Sequence, residues 1–234
     1  MIPAFPVYLF DLDGTLVDSA EDICGAIRCV LSTTPQSAVA DVFLRSYIGR
    51  SLIDLFHDLF PGMPDEQIEP MILEYKKHYP ARDHACTRLY PGVLEALARL
   101  HGRKSTATTK GTPTTRLILE RFGLLSFFDH VQGTDGFPPK PAPDVIQASL
   151  RVFGAAPGDC LFVGDSAADM EAGRRGGVRT CAVNYGYGDR DEMTRWKPDY
   201  WIGDLSELLR SPVAASRWRG TAHAVDLAAR GSIS

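Results

Sequence analysis

The feature that most constrains this chain is a short apolar run that stops abruptly at a charged, glycine-containing turn, a pattern that occurs twice. Val7-Tyr8-Leu9-Phe10 lies between Pro6 and Asp11-Leu12-Asp13-Gly14, and Cys160-Leu161-Phe162-Val163 runs into Gly164-Asp165-Ser166. Runs so short and so continuously apolar read as strands buried on both faces. Further strands are expected at Ser105-Thr106-Ala107, over 178–183 and at Tyr200-Trp201-Ile202. The intervening stretches carry helical spacing and end signals. Thr112 is placed as a cap with Pro113 in the first turn and Gly123 as the stop; Gly92 to His101 is stopped by Gly102, and Asp144 to Phe153 by Gly154. Strands alternating with helices predict an α/β fold, a parallel sheet covered on both sides.

Between about 19 and 88 the alternation fails. Ser51 precedes Leu52, Leu55, Phe56 and Leu59, and Asp65 precedes Ile68, Met71, Ile72, Tyr75 and Tyr79, all at helical spacing and with no convincing strand. The reading is a helical insert at 19–88 in a core formed by 1–18 and 89–210. The Ala- and Arg-rich stretch 211–234 is expected to be a peripheral helix or a loose tail.

Bulk properties narrow the function. A net charge of -4 gives no electrostatic footprint for nucleic acid. No apolar run approaches the ~18 residues of a membrane span, and the short amino-terminal apolar stretch does not resemble a signal peptide. Five cysteines without C-x-x-C spacing argue against both a disulfide framework and a zinc site, so a reducing, cytoplasmic location is expected. Nothing in the sequence signals an oligomeric state.

In a doubly wound sheet, ligands sit beyond the carboxyl ends of the strands. Four groups of polar residues fall there: Asp11 to Thr15, Thr108-Thr109-Lys110, Lys140-Pro141, and Gly164 to Asp169. Each alone has an ordinary structural reading as a turn, a cap or a solvated charge. Together they gather Asp11, Asp13, Asp165 and Asp169 at one crevice, where carboxylates repel unless a cation intervenes. Hard oxygen donors in small number describe a Mg2+ site completed by phosphate and water. Lys140 and the Thr108 hydroxyl would then face a transferring phosphoryl group.

The motif Asp11-Leu12-Asp13-Gly14-Thr15-Leu16-Val17-Asp18-Ser19, with Ala107-Thr108-Thr109-Lys110, Lys140-Pro141 and Gly164-Asp165-Ser166-x-x-Asp169, resembles the four motifs of the haloacid dehalogenase superfamily. It is similar in particular to phosphoglycolate phosphatases and neighbouring sugar-phosphate phosphatases, over about residues 7 to 205. The resemblance implies a Rossmannoid core with a helical cap inserted after the first motif. It implies a phosphatase acting on a small phosphorylated metabolite, with Asp11 as nucleophile and Asp13 as acid and base. Asp11, the Asp13 carbonyl and Asp165 would hold Mg2+. Thr108 and Lys140 would grip the phosphate, with Gly14 and Thr109 beside it. Asp169 and Ser166 would stand behind the ligands, Asp169 near the metal or paired with Lys140. Thr109 departs from the pattern, since such relatives usually carry Asn there.

The second aspartate, Asp13, argues against the dehalogenase and phosphonate-hydrolase branches, which lack it. A phosphomutase uses the same groups and is the enzymatic rival; a non-catalytic interaction module that kept the fold is the other. Selection of the substrate falls to the cap, and Arg50, in Tyr47-Ile48-Gly49-Arg50-Ser51, is the residue expected to contact it, the ordinary alternative being a solvated arginine at a helix start. An arginine fork suits a carboxylate, which makes phosphoglycolate the first candidate substrate, ahead of any one sugar phosphate. Tyr185, Tyr187 and the glycines between them read as a loop after the fifth strand, one that in the relatives this sequence resembles lies near the active site.

Overall fold

The structure, a computed structural model, describes residues 1–209. The expected tail at 211–234 lies outside the described residues. In chain order the elements are β1 (Val7–Phe10), β2 (Val17–Asp18), α1 (Ala20–Leu31), α2 (Asp41–Arg45), α3 (Leu52–Leu59), α4 (Asp65–Ala81) and β3 (Arg88–Leu89). There follow α5 (Val93–Arg99), β4 (Arg103–Thr106), α6 (Thr112–Arg121), α7 (Asp144–Phe153), β5 (Cys160–Gly164), α8 (Ala167–Arg175), β6 (Arg179–Val183), α9 (Arg190–Arg195) and β7 (Tyr200–Ile202).

Five strands form one parallel sheet in the order β4-β1-β5-β6-β7, the Rossmannoid α/β arrangement that the alternation predicts. Residues alternate between its faces, and both faces are apolar. Tyr8, Phe10, Leu161 and Val163 pack with Val93, Leu97 and Ile118 from α5 and α6. Val7, Leu9, Cys160 and Phe162 pack with Val145, Ile146 and Leu150 from α7. A strand with a two-residue period and apolar side chains on both sides has to be covered twice, which is why β1 and β5 read as unbroken apolar runs. The chain reverses its winding at β1, which lies between β4 and β5, so the loops after these three strands converge on one crevice.

Helices α1 to α4 build a second apolar core of their own, with Ile27, Leu44, Leu55, Phe56 and Ile68 fully enclosed. Its entry and exit are joined. Val17 and Asp18 pair antiparallel with Leu89 and Arg88, a two-residue ladder too short for any periodicity to disclose, and its β3 arm corrects the expectation of no strand up to residue 88. Asp22, fully buried on α1, accepts hydrogen bonds from Arg82 Nε at 3.2 Å, Cys86 N at 3.0 Å and Thr87 Oγ1 at 2.7 Å. Truncating this buried acceptor strands the buried Thr87 hydroxyl and releases the partly buried Arg82 and Cys86 donors, so Asp22→Ala is expected to destabilise the chain by about 3 kcal/mol, measured by urea unfolding.

Several element ends differ from the reading. The strand expected at Ser105 begins at Arg103, because register with β1 pairs Val7 with Arg103 and Phe10 with Thr106. The helix after Gly92 stops at Arg99, where Leu100 is already extended, so Gly102 does not terminate it. Thr112 is the first helical residue rather than the cap; its backbone N–H and hydroxyl both donate to Asp135.

Candidate active site

Asp11 follows β1 directly, and its backbone N–H still donates to Val163 O of β5 at 2.9 Å, which fixes the start of the turn. The chain then folds back through Gly14, at a φ of +93°, whose N–H donates to Val17 O at 2.9 Å. This left-handed turn brings Gly14 against Asp165; a Cβ there would lie 2.2 Å from Asp165 Oδ2. Gly14 therefore serves as a wall for Asp165.

The carboxylates of Asp11, Asp165 and Asp169 are all buried, and an oxygen from each lies within 4.8 Å of the others. Lys140 is buried among them, and its Nζ donates to Asp11 Oδ1 at 2.6 Å and to Asp169 Oδ1 at 2.5 Å. Asp169 Oδ2 takes the Ser166 N–H at 2.9 Å and the Ser166 hydroxyl at 2.6 Å, inside a capping box that opens α8. Both Asp169 oxygens are thus engaged, and of the two expected roles the geometry shows the pairing with Lys140. Asp165 accepts from Thr15 Oγ1 at 3.1 Å and from Tyr187 N at 2.8 Å.

Burial raises the pKa of Asp11 to about 7, with the charge on Asp169 adding to the effect and Lys140 opposing it. Burial and the charges of Asp169 and Asp11 push Asp165 well above the usual carboxylate range. For Lys140 desolvation works against the charged form, but the Asp11 and Asp169 carboxylates outweigh it and raise its pKa, which keeps the ammonium charged. Three carboxylates against one ammonium leave the cluster short of positive charge. An all-oxygen, buried donor set of this kind fits a small hard divalent cation.

Asp13 points away from this cluster. Ser19 Oγ donates to its Oδ1 at 2.6 Å, and Lys110 Nζ stands 3.2 Å from its Oδ2. It faces a cavity of about 560 Å³ between the sheet edge and helices α1, α3 and α4, to which Thr108, Thr109, Lys110 and Arg50 also contribute. Thr108 is buried, and its hydroxyl accepts from Lys110 N at 3.3 Å. The Thr109 hydroxyl donates to Gly49 O at 2.9 Å, so this residue ties the loop after β4 to the α2–α3 turn. Arg50 lies on the exposed side of the cavity with its guanidinium 4.4 Å from the Tyr47 ring centroid.

Residues 8–183 match the haloacid dehalogenase-like hydrolase family. The chain is 31% identical over 205 residues to the pyrophosphatase PpaX of Halalkalibacterium halodurans, covering 86% of this chain and 94% of that one. It is 31% identical over 208 residues to a phosphoglycolate phosphatase of Aquifex aeolicus, covering 87% and 95%. It belongs to the haloacid dehalogenase-like hydrolases. A solved member of that family from Streptococcus pneumoniae superimposes with a TM-score of 0.81 at 26% identity, over 88% of this chain and 97% of the other. As an enzyme the chain falls with the phosphatases of the family, the phosphoric monoester hydrolases. Among the described residues no helix is long and apolar enough to cross a membrane.

Two parts of this hydrolase's site were located by the sequence reading but given no role in it. The loop after β6 is one of them. Tyr187 N holds Asp165 while Tyr187 Oη accepts from Ser19 N at 2.7 Å and Ala20 N at 3.0 Å and donates to Asp18 at 2.7 Å, so one residue spans the carboxylate cluster and the start of α1. Gly186 allows this approach, since a Cβ there would lie 2.3 Å from Asp165 Cβ. The Y-G-Y-G run over Tyr185 to Gly188, close after a buried strand, was the available signal. Lys110 is the other. It sits in the quoted triplet after β4, and only its burial beside Asp13 distinguishes it from a solvated lysine.

Proposed function

We propose that this hydrolase is a Mg2+-dependent phosphatase of small phosphate monoesters that works through an aspartyl-phosphate. The observation that carries the reading is the placement of two carboxylates on one turn with opposite surroundings. Asp11 lies in the buried cluster against Lys140, and Asp13 lies on the cavity side against Ser19 and Lys110. Two like groups held in different environments suit a nucleophile and an acid–base pair.

In the reaction so read, an Asp11 oxygen attacks phosphorus and the bond from phosphorus to the ester oxygen breaks. Asp13 gives its proton to that oxygen as the alcohol leaves. Asp13 then takes a proton from water, whose oxygen attacks the same phosphorus and releases Asp11 and inorganic phosphate. Lys140 and the Thr108 hydroxyl would hold the phosphoryl oxygens as charge shifts across them. Asp169 would hold Lys140 in place, itself set by Ser166. The Asp11 and Asp165 side chains and the Asp13 carbonyl would hold Mg2+, which when bound supplies the positive charge that the cluster lacks. Residues 19–88 are read as a cap whose cavity wall chooses among esters.

The relatives' names put phosphoglycolate among the first esters to test. Phosphate release from a panel containing phosphoglycolate, sugar phosphates and an aryl phosphate should require Mg2+ and stop in excess chelator. Asp165→Ala should raise the Mg2+ concentration needed for half-maximal rate by at least about 10-fold, since ligand and supporting-partner losses run to 10–100-fold. Full activity in chelator removes the metal from the reading, and isomerised sugar phosphate without free phosphate makes the enzyme a mutase.

A further inference from the structure

We propose that Lys110 is the specificity residue of this site, the receptor for an anionic group carried by the leaving part of the substrate. The proposal rests on the phosphatase reading above. It begins from where Lys110 stands. Asp13, as proton donor, has to face the ester oxygen, so whatever that oxygen carries lies on Asp13's cavity side. Lys110 Nζ is there, 3.2 Å from Asp13 Oδ2 and 3.1 Å from Tyr79 Oη, with the Tyr79 ring centroid 4.3 Å away.

An ammonium has three donors, and these two oxygens take two of them. Lys110 belongs to the wall of the cavity, and its side chain is 12% exposed. The remaining walls nearby are largely apolar, with Ile23, Ile27, Ile48 and Ile72 from the helical layer. A fixed ammonium in such surroundings attracts an anion far more strongly than one in water, and it selects against a neutral group of equal size.

The cap cations are less suited. Arg50 is exposed and stacked on Tyr47, and Lys76 is exposed on α4. Lys110 is held by the loop after β4 and by Tyr79, so its position is set before substrate arrives. A carboxylate and a second phosphate share the chemistry that it recognises.

The test compares wild type, Lys110→Met and Lys110→Arg on phosphoglycolate, pyrophosphate and ethyl phosphate, the last being a neutral leaving group of similar size. The quantity read is kcat/KM for each anionic substrate divided by that for ethyl phosphate. The contact between Lys110 and Asp13 is common to all three and cancels in this ratio, so a merely structural lysine would not move it. Lys110→Met is expected to lower the ratio roughly 30-fold, the worth of one charged hydrogen bond, and Lys110→Arg to restore most of it. Whether the phosphoglycolate or the pyrophosphate ratio falls decides between carboxylate and phosphate.

Equal losses on all three substrates overturn the proposal. Should Lys110→Met prove too slow to assay, calorimetric binding of 3-phosphonopropionate and propylphosphonate gives the same comparison; an unchanged preference for the former overturns it. Wild-type enzyme that hydrolyses all three without favouring an anionic one removes Lys110's role and leaves the phosphatase standing. Wild-type enzyme that hydrolyses no phosphate ester removes both.

Discussion

Asp11→Asn is expected to lower phosphate release at least about 10,000-fold while leaving the fold intact or firmer, because the amide cannot act as the nucleophile yet occupies the same volume. The electrostatics of the cluster give this prediction its second half. Asp11 is buried with two other carboxylates and one lysine, and its pKa has risen to about 7 because burial penalises the charged form. Replacing it by a neutral amide reduces the excess of negative charge, and Lys140 keeps Asp169 at 2.5 Å. In chelator the variant should therefore melt no lower than wild type, and a gain of one kcal/mol would raise its midpoint by about 2–4 °C. A thermal melt beside a steady-state phosphate assay reads both. Turnover at the wild-type rate would end the assignment of Asp11 as nucleophile. A large drop in melting temperature would mean that the loss of activity reports unfolding.

The same cluster shows which parts of the molecule were legible in the sequence. Strands β1 and β5 could be read because burial on both faces leaves uninterrupted apolar runs, and the loops after them because carboxylates cannot gather without a reason that chemistry supplies. Local signals also placed α7, whose stop at Gly154 requires a left-handed residue. What could not be read is long-range. Tyr187 donates its backbone N–H to a residue 22 positions away and its hydroxyl to one 169 positions away, and neither partner leaves a local trace. Lys110 is similar, since the Tyr79 that supports it comes from α4, beyond any window of sequence periodicity. Arg50 shows what a local signal does carry: Gly49 marked a tight turn, with φ of +87°, and the residue after it does line the cavity, but the turn says nothing about which way that side chain lies. That side chain lies over Tyr47.

Lys140→Ala should have the opposite effect on stability from Asp11→Asn, although the two residues touch. Removing the ammonium leaves Asp11 and Asp169 facing each other and Asp165, all buried, with no countercharge from that position. Breaking a buried pair from the cationic side typically costs about 3–5 kcal/mol, or roughly 10 °C in thermal midpoint for a chain of this size. Mg2+ should recover part of this loss in the variant, because a divalent cation and the lost ammonium answer the same deficit of charge. Activity should fall on the order of 100- to 1,000-fold in kcat even with saturating Mg2+, since the proposed contacts of Lys140 strengthen as charge shifts on the phosphoryl oxygens. Lys140→Met separates shape from charge. It keeps most of the side chain's packing against Phe162, whose ring centroid lies 5.5 Å from Nζ, and so should match the alanine variant in activity while melting somewhat higher. A variant whose KM alone rises, with kcat and melting temperature unchanged, would show that Lys140 binds the ground-state ester only, and the countercharge argument for the whole cluster would fall with it.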